Sequence, residues 1–334
     1  MGSPLNHSGY ACSLAAMIRD WRAYWSATPG TTDALAPFGL FTIHPQGCEG
    51  AQQIGYMRHA QTANVGHAPN DYLPNVLVAQ AFDAGDPWAN GNSWLGNAGC
   101  EEVDPKTGQF GPNCLPFDDS RWDEATKYIA PLTYNTTIQM YMGGLHPRLK
   151  SPLAKRLALA VYNLKFGGTG ALTGPTIAGC RVAGAAGTTL VATVTYDAAL
   201  LRGDTVSVSP YDANMANWGI GDSPTFMACI VREDAPPGTA CNEWIAGAAA
   251  SAGPAAVTAT FEPPFQARIT ALRYGWPLQD LDCCPQQAYA NGWAECPAAA
   301  CPIKLAGGLL PGNPFFANVT NGKCVCNLPQ TCDA

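Results

Sequence analysis

The sequence predicts a parallel α/β region followed by a β-rich, sandwich-like region. In the first half, helical patterns alternate with short apolar runs typical of buried strands, which is the order found in a parallel α/β sheet. In the second half, alternating or β-branched segments are separated by turns rich in Gly and Pro. The 334 residues are 47% hydrophobic and 13% charged, and a chain of this length can build two ordinary cores. We expect domains at residues 1–168 and 169–334.

Five elements are predicted before this boundary. Apolar residues on one face indicate the first helix, and Ser13 is placed to cap it. Ser151 and Pro152 suit the start of the last helix, and Gly167 suits its end. The predicted elements are helix 14–25, strand 37–43, helix 51–63, strand 75–82 and a helix from 151 to 167.

The stretch at 88–141 interrupts this alternation. It is rich in Gly, Asn, Asp and Pro, and a structureless segment of such length inside a compact domain is usually an insertion. Cys100 and Cys114 lie within it, and we expect these two cysteines to cross-link it. Its role as a lid over a site or as a surface addition stays open.

The second half predicts four strands with a low-complexity stretch among them. Thr, Val and alternating apolar residues favour strand structure in each. The Ala- and Gly-rich stretch at 246–256 is predicted to be a loop. The predicted strands are 188–196, 204–209, 255–261 and 268–274.

Charge and composition exclude several classes of partner. The formal net charge is −7, and the 18 Lys and Arg residues are scattered. Because nucleic-acid binding needs a row of basic residues to neutralise phosphates, we expect no nucleic-acid partner. His44, His59 and His67 lack metal-ligand spacing with nearby carboxylates or thiolates, so no metal and no other cofactor is predicted. No stretch is long and apolar enough to predict a membrane span.

The 14 cysteines indicate an oxidising compartment. Adjacent or closely spaced pairs such as Cys283-Cys284 lack the CxxC or histidine spacing of zinc sites, so disulfides are the better interpretation. Glycosylation acceptors at Asn6, Asn135 and Asn318 agree with this. We therefore expect a secreted or lysosomal glycoprotein. Because the residues after Met1 lack the basic start and apolar run of a signal peptide, we expect the native N-terminus to lie upstream.

Four blocks of residues, in order along nearly the whole chain, resemble the sialate O-acetylesterases, which are carbohydrate esterases of the SGNH-hydrolase group. Each block alone is a weak signal, whereas their shared order is a strong one. The blocks are Tyr10-Ala11-Cys12-Ser13 leading to Arg19-Asp20-Trp21-Arg22; Arg58-His59-Ala60-Gln61-Thr62-Ala63; Leu145-His146-Pro147-Arg148 with Lys155-Arg156 beyond; and Leu272-Arg273-Tyr274-Gly275-Trp276 with Leu310-Pro311.

The resemblance implies part of an SGNH-type three-layer α/β/α domain, followed by the β-rich domain. It also implies hydrolysis of O-acetyl esters on sialic acids or related acetylated sugars. In that chemistry a serine attacks the acetyl carbonyl, a histidine takes the serine proton and returns it to the sugar oxygen, and hydrogen-bond donors hold the oxyanion.

His146 is the predicted general base, because it occupies the catalytic position of the family's His-Pro-Arg block. The orienting acid is less defined, since the position three residues earlier, where many SGNH enzymes have Asp, is Gly143. Asp86 or Asp83 could serve, because both follow a predicted strand whose carboxyl end borders the cleft. A simple turn explains these two aspartates equally well.

Arg58 and Gln61 are predicted to bind substrate or to shape the cleft, although a surface helix face accounts for them as well. The family's Gly-Gln-Ser-Asn-Met nucleophile block is absent from these residues, and so is a Gly-x-Ser-x-Gly elbow. We therefore expect an N-terminally truncated esterase that is inactive without its missing segment. The alternative is a catalytically inactive carbohydrate-binding or structural remnant of the same fold.

Overall fold

The computed structural model describes residues 7–43, 53–82, 150–184, 189–209, 226–241, 243–276 and 302–325. Within these ranges the protein is a mixed α/β structure with a large antiparallel β-barrel. The predicted insertion at 88–141 lies outside the described residues, as do Cys100 and Cys114.

Four helices lie in the described ranges, and none of them is long and apolar enough to cross a membrane. Both predicted N-terminal caps are wrong, whereas Gly167 follows the end of its helix with a positive φ, as expected. The first helix begins before Ser13, which lies inside it, and the residue capping the third helix is Lys150, so that Ser151 is its first helical residue. The helices are α1 (His7–Ser26), α2 (Gln53–Ala60), α3 (Ser151–Lys165) and α4 (Ala198–Leu201).

Two parallel strands, β1 (Phe38–Phe41) and β2 (Val76–Ala79), pair in register from Phe38 with Val76 to Phe41 with Ala79. Because side chains alternate between the faces of a strand, Phe38 and Val76 pack towards α1. The opposite face meets α3, where Leu157 lies against Gly39. This places one helix on each face of the pair, as predicted for a parallel α/β region.

Eight strands form a closed antiparallel barrel in the order β11-β12-β3-β4-β8-β7-β6-β9. The β-rich second half is thus confirmed, and its main strands close into one ring. A separate pair, β5 with β10, lies beside it. The strands are β3 (Ile177–Ala183), β4 (Leu190–Tyr196), β5 (Val206–Val208), β6 (Phe226–Arg232), β7 (Glu243–Gly253), β8 (Ala256–Phe261), β9 (Ala267–Tyr274), β10 (Ile303–Leu305), β11 (Phe315–Thr320) and β12 (Lys323–Val325).

The Ala- and Gly-rich stretch predicted as a loop is strand β7, so that prediction is wrong. β7 pairs with β6 on one side and with β8 on the other. At Gly247 any Cβ atom would collide with the ring of Phe261, a buried core residue. Glycine is therefore required at this position of β7, and tertiary packing overrides its low strand propensity.

Strand β9 lies between β6 and β11. Arg273 and Tyr274 therefore lie on a strand that is paired on both sides. The Arg273 guanidinium lies 3.8 Å from the centroid of the Trp244 ring, an arrangement favourable for a cation and an aromatic face. Tyr274 is buried in the barrel core with Phe226 and Phe315.

Disulfides stabilise the barrel, in agreement with the cysteine pattern. Cys180 on β3 is bonded to Cys324 on β12. The ladder between these two strands has a single registered pair, Lys323 with Arg181, so the disulfide reinforces a short joint in the ring. A second disulfide joins Cys229 to Cys241, and Cys12 on α1 is also disulfide-bonded.

Candidate active site

The three residues predicted for catalysis, His146, Asp83 and Asp86, lie outside the described ranges, and their roles remain predictions. The described structure does include the segments that lead to them. Phe82 immediately precedes Asp83, and Lys150 follows His146 by four positions.

Helix α3 begins beside the carboxyl ends of the parallel strands. Leu153, in its first turn, packs against Ala81, which lies just beyond the end of β2. Leu157, one turn later, reaches back to Gly39 in β1. In the sequence, His146 precedes the first residue of α3 by five positions. In open parallel sheets ligands bind at this edge.

Gln61, just beyond α2, bonds to the backbone that follows β1. Its Oε1 accepts a hydrogen bond from the Ile43 N–H at 2.8 Å, and its Nε2 donates to the Phe41 carbonyl at 3.3 Å. Along a parallel strand, the backbone N–H groups of alternate residues point to opposite neighbouring strands. In β1 the N–H groups of Phe38 and Thr42 donate towards the β2 side, so those of residues 41 and 43 face the other side. The Gln61 amide therefore occupies the place of a third strand at the carboxyl end of β1.

Arg58 connects the same segment to the barrel. Its Nε donates to the Ile43 carbonyl at 3.0 Å, and Nη1 donates to the carbonyls of Gly275 at 2.9 Å and Trp276 at 3.4 Å. The residue is 2% exposed. Since it is buried among backbone acceptors, Arg58 can shape the edge but does not present its guanidinium to solvent.

Arg156 on α3 makes an equivalent link from the other helix. Its Nη1 donates to the Gln80 carbonyl at 2.5 Å, and its Nε donates to the Leu309 carbonyl of the barrel region at 3.3 Å. The residue is 1% exposed. Gln80 lies three positions before Asp83, so Arg156 fixes the path of the chain that leads to the predicted acid.

Three of the four blocks that carry the family resemblance thus meet at one edge of the parallel strands. Arg58 and Gln61 belong to the second block, Arg156 lies just beyond the His-Pro-Arg block, and Trp276 ends the fourth. Sequence reasoning singled out Arg58 and Gln61 but missed Arg156 as an organising residue. The available signal was the position of Arg156, a charged residue on the apolar face of α3, three positions after Leu153.

Trp276 fills the space between α2 and the barrel. Its ring lies 5.3 Å from that of Tyr56 and 5.7 Å from that of His59, measured between centroids. Gly55 permits this approach, because a Cβ there would collide with Trp276. Burial lowers the pKa of His59 to about 4, although a hydrogen bond with the Asn64 backbone raises this pKa in part. His59 is therefore neutral near pH 7 and is packed as a core residue.

The neutral His59 predicts a specific loss of stability in acid. Between pH 6.5 and pH 4 the unfolded chain binds a proton at this histidine and the folded protein does not, so the free energy of unfolding falls as the pH falls. The loss amounts to at most about 3 kcal/mol. In His59→Phe, which keeps an aromatic ring beside Trp276, urea unfolding between pH 7 and pH 4 is expected to show a shallower decline. Parallel curves for the two proteins would contradict this.

An open groove of about 980 Å³ lies at the other end of the strands. It runs between α1 and the segments that precede β1 and β2, and its lining includes Arg22, Leu35 and Tyr72. Arg22 is committed to the Ala36 and Pro74 carbonyls. The groove is therefore at the amino edge of the parallel pair and is separate from the predicted cleft. Among the described residues, no group of three or more His, Cys, Asp and Glu side chains could hold a metal ion.

Comparison with known proteins supports the family resemblance over part of the chain. The sialate O-acetylesterase of Mus musculus is 33% identical over 84 residues, covering 24% of this chain and 16% of the relative. The sialate O-acetylesterase of Homo sapiens is 34% identical over 80 residues, covering 23% and 15%. The Rattus norvegicus enzyme matches at 33% over 84 residues.

These matches span about a quarter of the chain and about a sixth of the length of the relatives. No protein-family model matches the chain. The resemblance stated from the four blocks is thereby confirmed as a partial family match.

Proposed function

We propose that the protein carries the general-base portion of an esterase of the sialate O-acetylesterase type, which removes O-acetyl groups from sialic acids or related acetylated sugars. In this proposal α1, the two parallel strands and α3 are part of an SGNH-type three-layer α/β/α domain spanning residues 1–168, and residues 169–334 form the second domain. His146 is the general base, with Asp83 or Asp86 as its orienting acid.

The observation that supports this most is the organisation of the carboxyl edge. Gln61 and two buried arginines, Arg58 and Arg156, donate to or accept from the backbone exactly where β1 and β2 end. A buried guanidinium is costly unless its donors find acceptors, and the Nε and Nη1 groups of both arginines donate to backbone carbonyls. Such an edge, fixed from both helices, suits a site that needs catalytic groups held in a set geometry.

The reaction needs a serine, a base and an oxyanion hole. The serine oxygen bonds to the acetyl carbon while His146 takes the hydroxyl proton, and the proton then passes to the departing sugar oxygen. Water, deprotonated by the same histidine, releases acetate from the acyl-enzyme. Residues 1–334 contain no Gly-Gln-Ser-Asn-Met block, so the proposal names the base and its orienting acid and assigns no residue as the serine.

The absence of that block also favours a second candidate, a carbohydrate-binding or structural protein that keeps the fold and has lost hydrolysis. The two candidates differ in one measurable property. An esterase binds an O-acetylated sialic acid and releases acetate from it. A binding protein binds the same sugar and leaves its acetyl group in place.

The test uses the protein expressed from its genomic locus, so that any residues encoded before Met1 are kept. Acetate release from 9-O-acetylated sialic acid is followed together with binding to an array of acetylated and de-acetylated glycans. Acetate release that depends on His146 supports the esterase. Binding to acetylated glycans without release supports the second candidate, and neither binding nor release contradicts both.

The disulfides fit an oxidising compartment, and we propose a secreted or lysosomal location with glycans on Asn6, Asn135 and Asn318. Of these, Asn318 lies in the described structure, exposed on β11 next to the turn into β12. Expression in a secretory host is expected to give a glycan at Asn318 that Asn318→Gln removes, seen as a mobility shift lost after glycosidase treatment. Thr320→Ser keeps the acceptor sequence and serves as control. An unglycosylated Asn318 peptide by mass spectrometry would contradict this.

A further inference from the structure

A serine and a lysine form a close pair at the β5–β10 ribbon. The Nζ of Lys304 lies 2.6 Å from the Oγ of Ser209. Lys304 is on β10, opposite Ser207 in the register, and Ser209 follows the last residue of β5. The backbone N–H of Ser209 donates to the Pro302 carbonyl at 2.8 Å, which fixes the serine in place beside the lysine strand.

The two partners differ in exposure in a way that suits nucleophile and base. Lys304 is 7% exposed, while Ser209 is half-buried, so a reagent has access to the hydroxyl before the amine. Burial lowers the pKa of Lys304 below its usual 10.5. Since lysines lose their proton more readily when buried, a larger fraction of this amine is neutral and able to accept a proton.

We propose that Ser209 is a lysine-activated nucleophile that is acylated by activated esters, with Lys304 as its general base. The Ser209 oxygen forms a bond to the carbonyl carbon as the bond from that carbon to the leaving oxygen breaks. The hydroxyl proton passes to the Lys304 amine and from there to the leaving oxygen. A serine paired with a lysine is a known variant of the hydrolase nucleophile and base. The inference does not depend on His146.

The backbone around Ser209 limits what this pair can do. The residue after it is Pro210, which has no N–H, and the N–H of Ser209 is already used by Pro302. Neither amide can therefore hold an oxyanion, and each missing donor costs roughly 100- to 1,000-fold in rate. We expect stoichiometric acylation of Ser209 by esters with good leaving groups, with slow turnover.

The experiment treats the intact chain with p-nitrophenyl acetate and maps acetyl groups by peptide mass spectrometry. Ser209 is expected to be acetylated, at a rate that rises with pH to a midpoint below 10.5, as titration of the lysine requires. Ser207→Ala is the matched control, because it removes a neighbouring serine and leaves the pair intact. Lys304→Arg keeps the positive charge but cannot accept the proton, so acetylation of Ser209 is expected to slow by at least about 100-fold.

Each outcome bears on the pair. Ser209 acetylation that slows in Lys304→Arg and persists in Ser207→Ala and in His146→Ala supports the proposal and separates it from the esterase site. An unmodified Ser209, acetylation of Lys304 in its place, or a rate unchanged by Lys304→Arg overturns it. If Lys304→Arg does not fold, the pH profile of the unaltered chain decides: a rate at Ser209 without a midpoint below 10.5 also overturns the proposal.

Discussion

Replacing His146 with alanine is expected to lower the turnover number for acetate release from O-acetylated sialic acid by about 1,000-fold or more. The serine hydroxyl is a weak nucleophile until a base removes its proton, and a positioned base contributes roughly 100- to 10,000-fold. The same base returns the proton to the sugar oxygen, so its loss affects both halves of the reaction. The measurement is turnover of the protein expressed from its genomic locus, at saturating substrate.

A matched control is His67→Asn, which changes a half-buried histidine that lies in the loop after α2. It is expected to leave turnover unchanged at temperatures where both variants are folded. Equal turnover for the unaltered protein and His146→Ala, with acetate release well above the buffer blank, would contradict the assignment of the base.

Removing the disulfide between Cys180 and Cys324 is expected to destabilise the barrel more than any other single change considered. The bond joins two residues that are 144 positions apart in the sequence. For a loop of that size, the loss of chain entropy in the unfolded state gives a stabilisation of about 5 kcal/mol. It also joins β3 to β12, whose ladder has one registered pair. Because domains are stable by only about 5–15 kcal/mol, Cys180→Ala/Cys324→Ala should lose most of its resistance to urea.

The second disulfide supplies the control. Cys229 and Cys241 are separated by 12 residues, and the same account gives about 3 kcal/mol. Urea unfolding of the two double variants should therefore rank them, with Cys180→Ala/Cys324→Ala clearly the less stable. A larger loss from Cys229→Ala/Cys241→Ala would contradict the view that the long-range bond closes the ring.

Local sequence signals predicted those elements whose own residues favour one structure. The Thr- and Val-rich segments became β4 and β8 within two residues of the expected bounds, because β-branched side chains suit a half-buried sheet. The apolar stripe of α1 predicted a helix. It could not predict its start, since the residues from His7 to Ser13 continue the helix without a strong signal of their own.

Signals that depend on distant partners were not available to the sequence. In strand β7, Gly247 leaves the space that the Phe261 ring fills, a contact between strands that no local pattern reveals. The roles of Arg58 and Arg156 follow from carbonyls at positions 275 and 309, far away in the chain. Because these guanidinium groups bind backbone carbonyls, their partners are not acidic residues that could be recognised in the sequence.

The resemblance singled out Arg58 and Gln61, and both bond to the backbone that follows β1. Gln61 was expected to shape a cleft, and its two hydrogen bonds to the backbone after β1 are compatible with that role. Its part in substrate binding remains a prediction.

The most direct test is an experimental structure of the protein expressed from its genomic locus that includes residue 146. Our account predicts the His146 imidazole at the carboxyl edge of β1 and β2, open to solvent and within hydrogen-bond distance of a serine hydroxyl. An imidazole at the amino edge beside Arg22, or one enclosed in the core with no hydroxyl in reach, would contradict it.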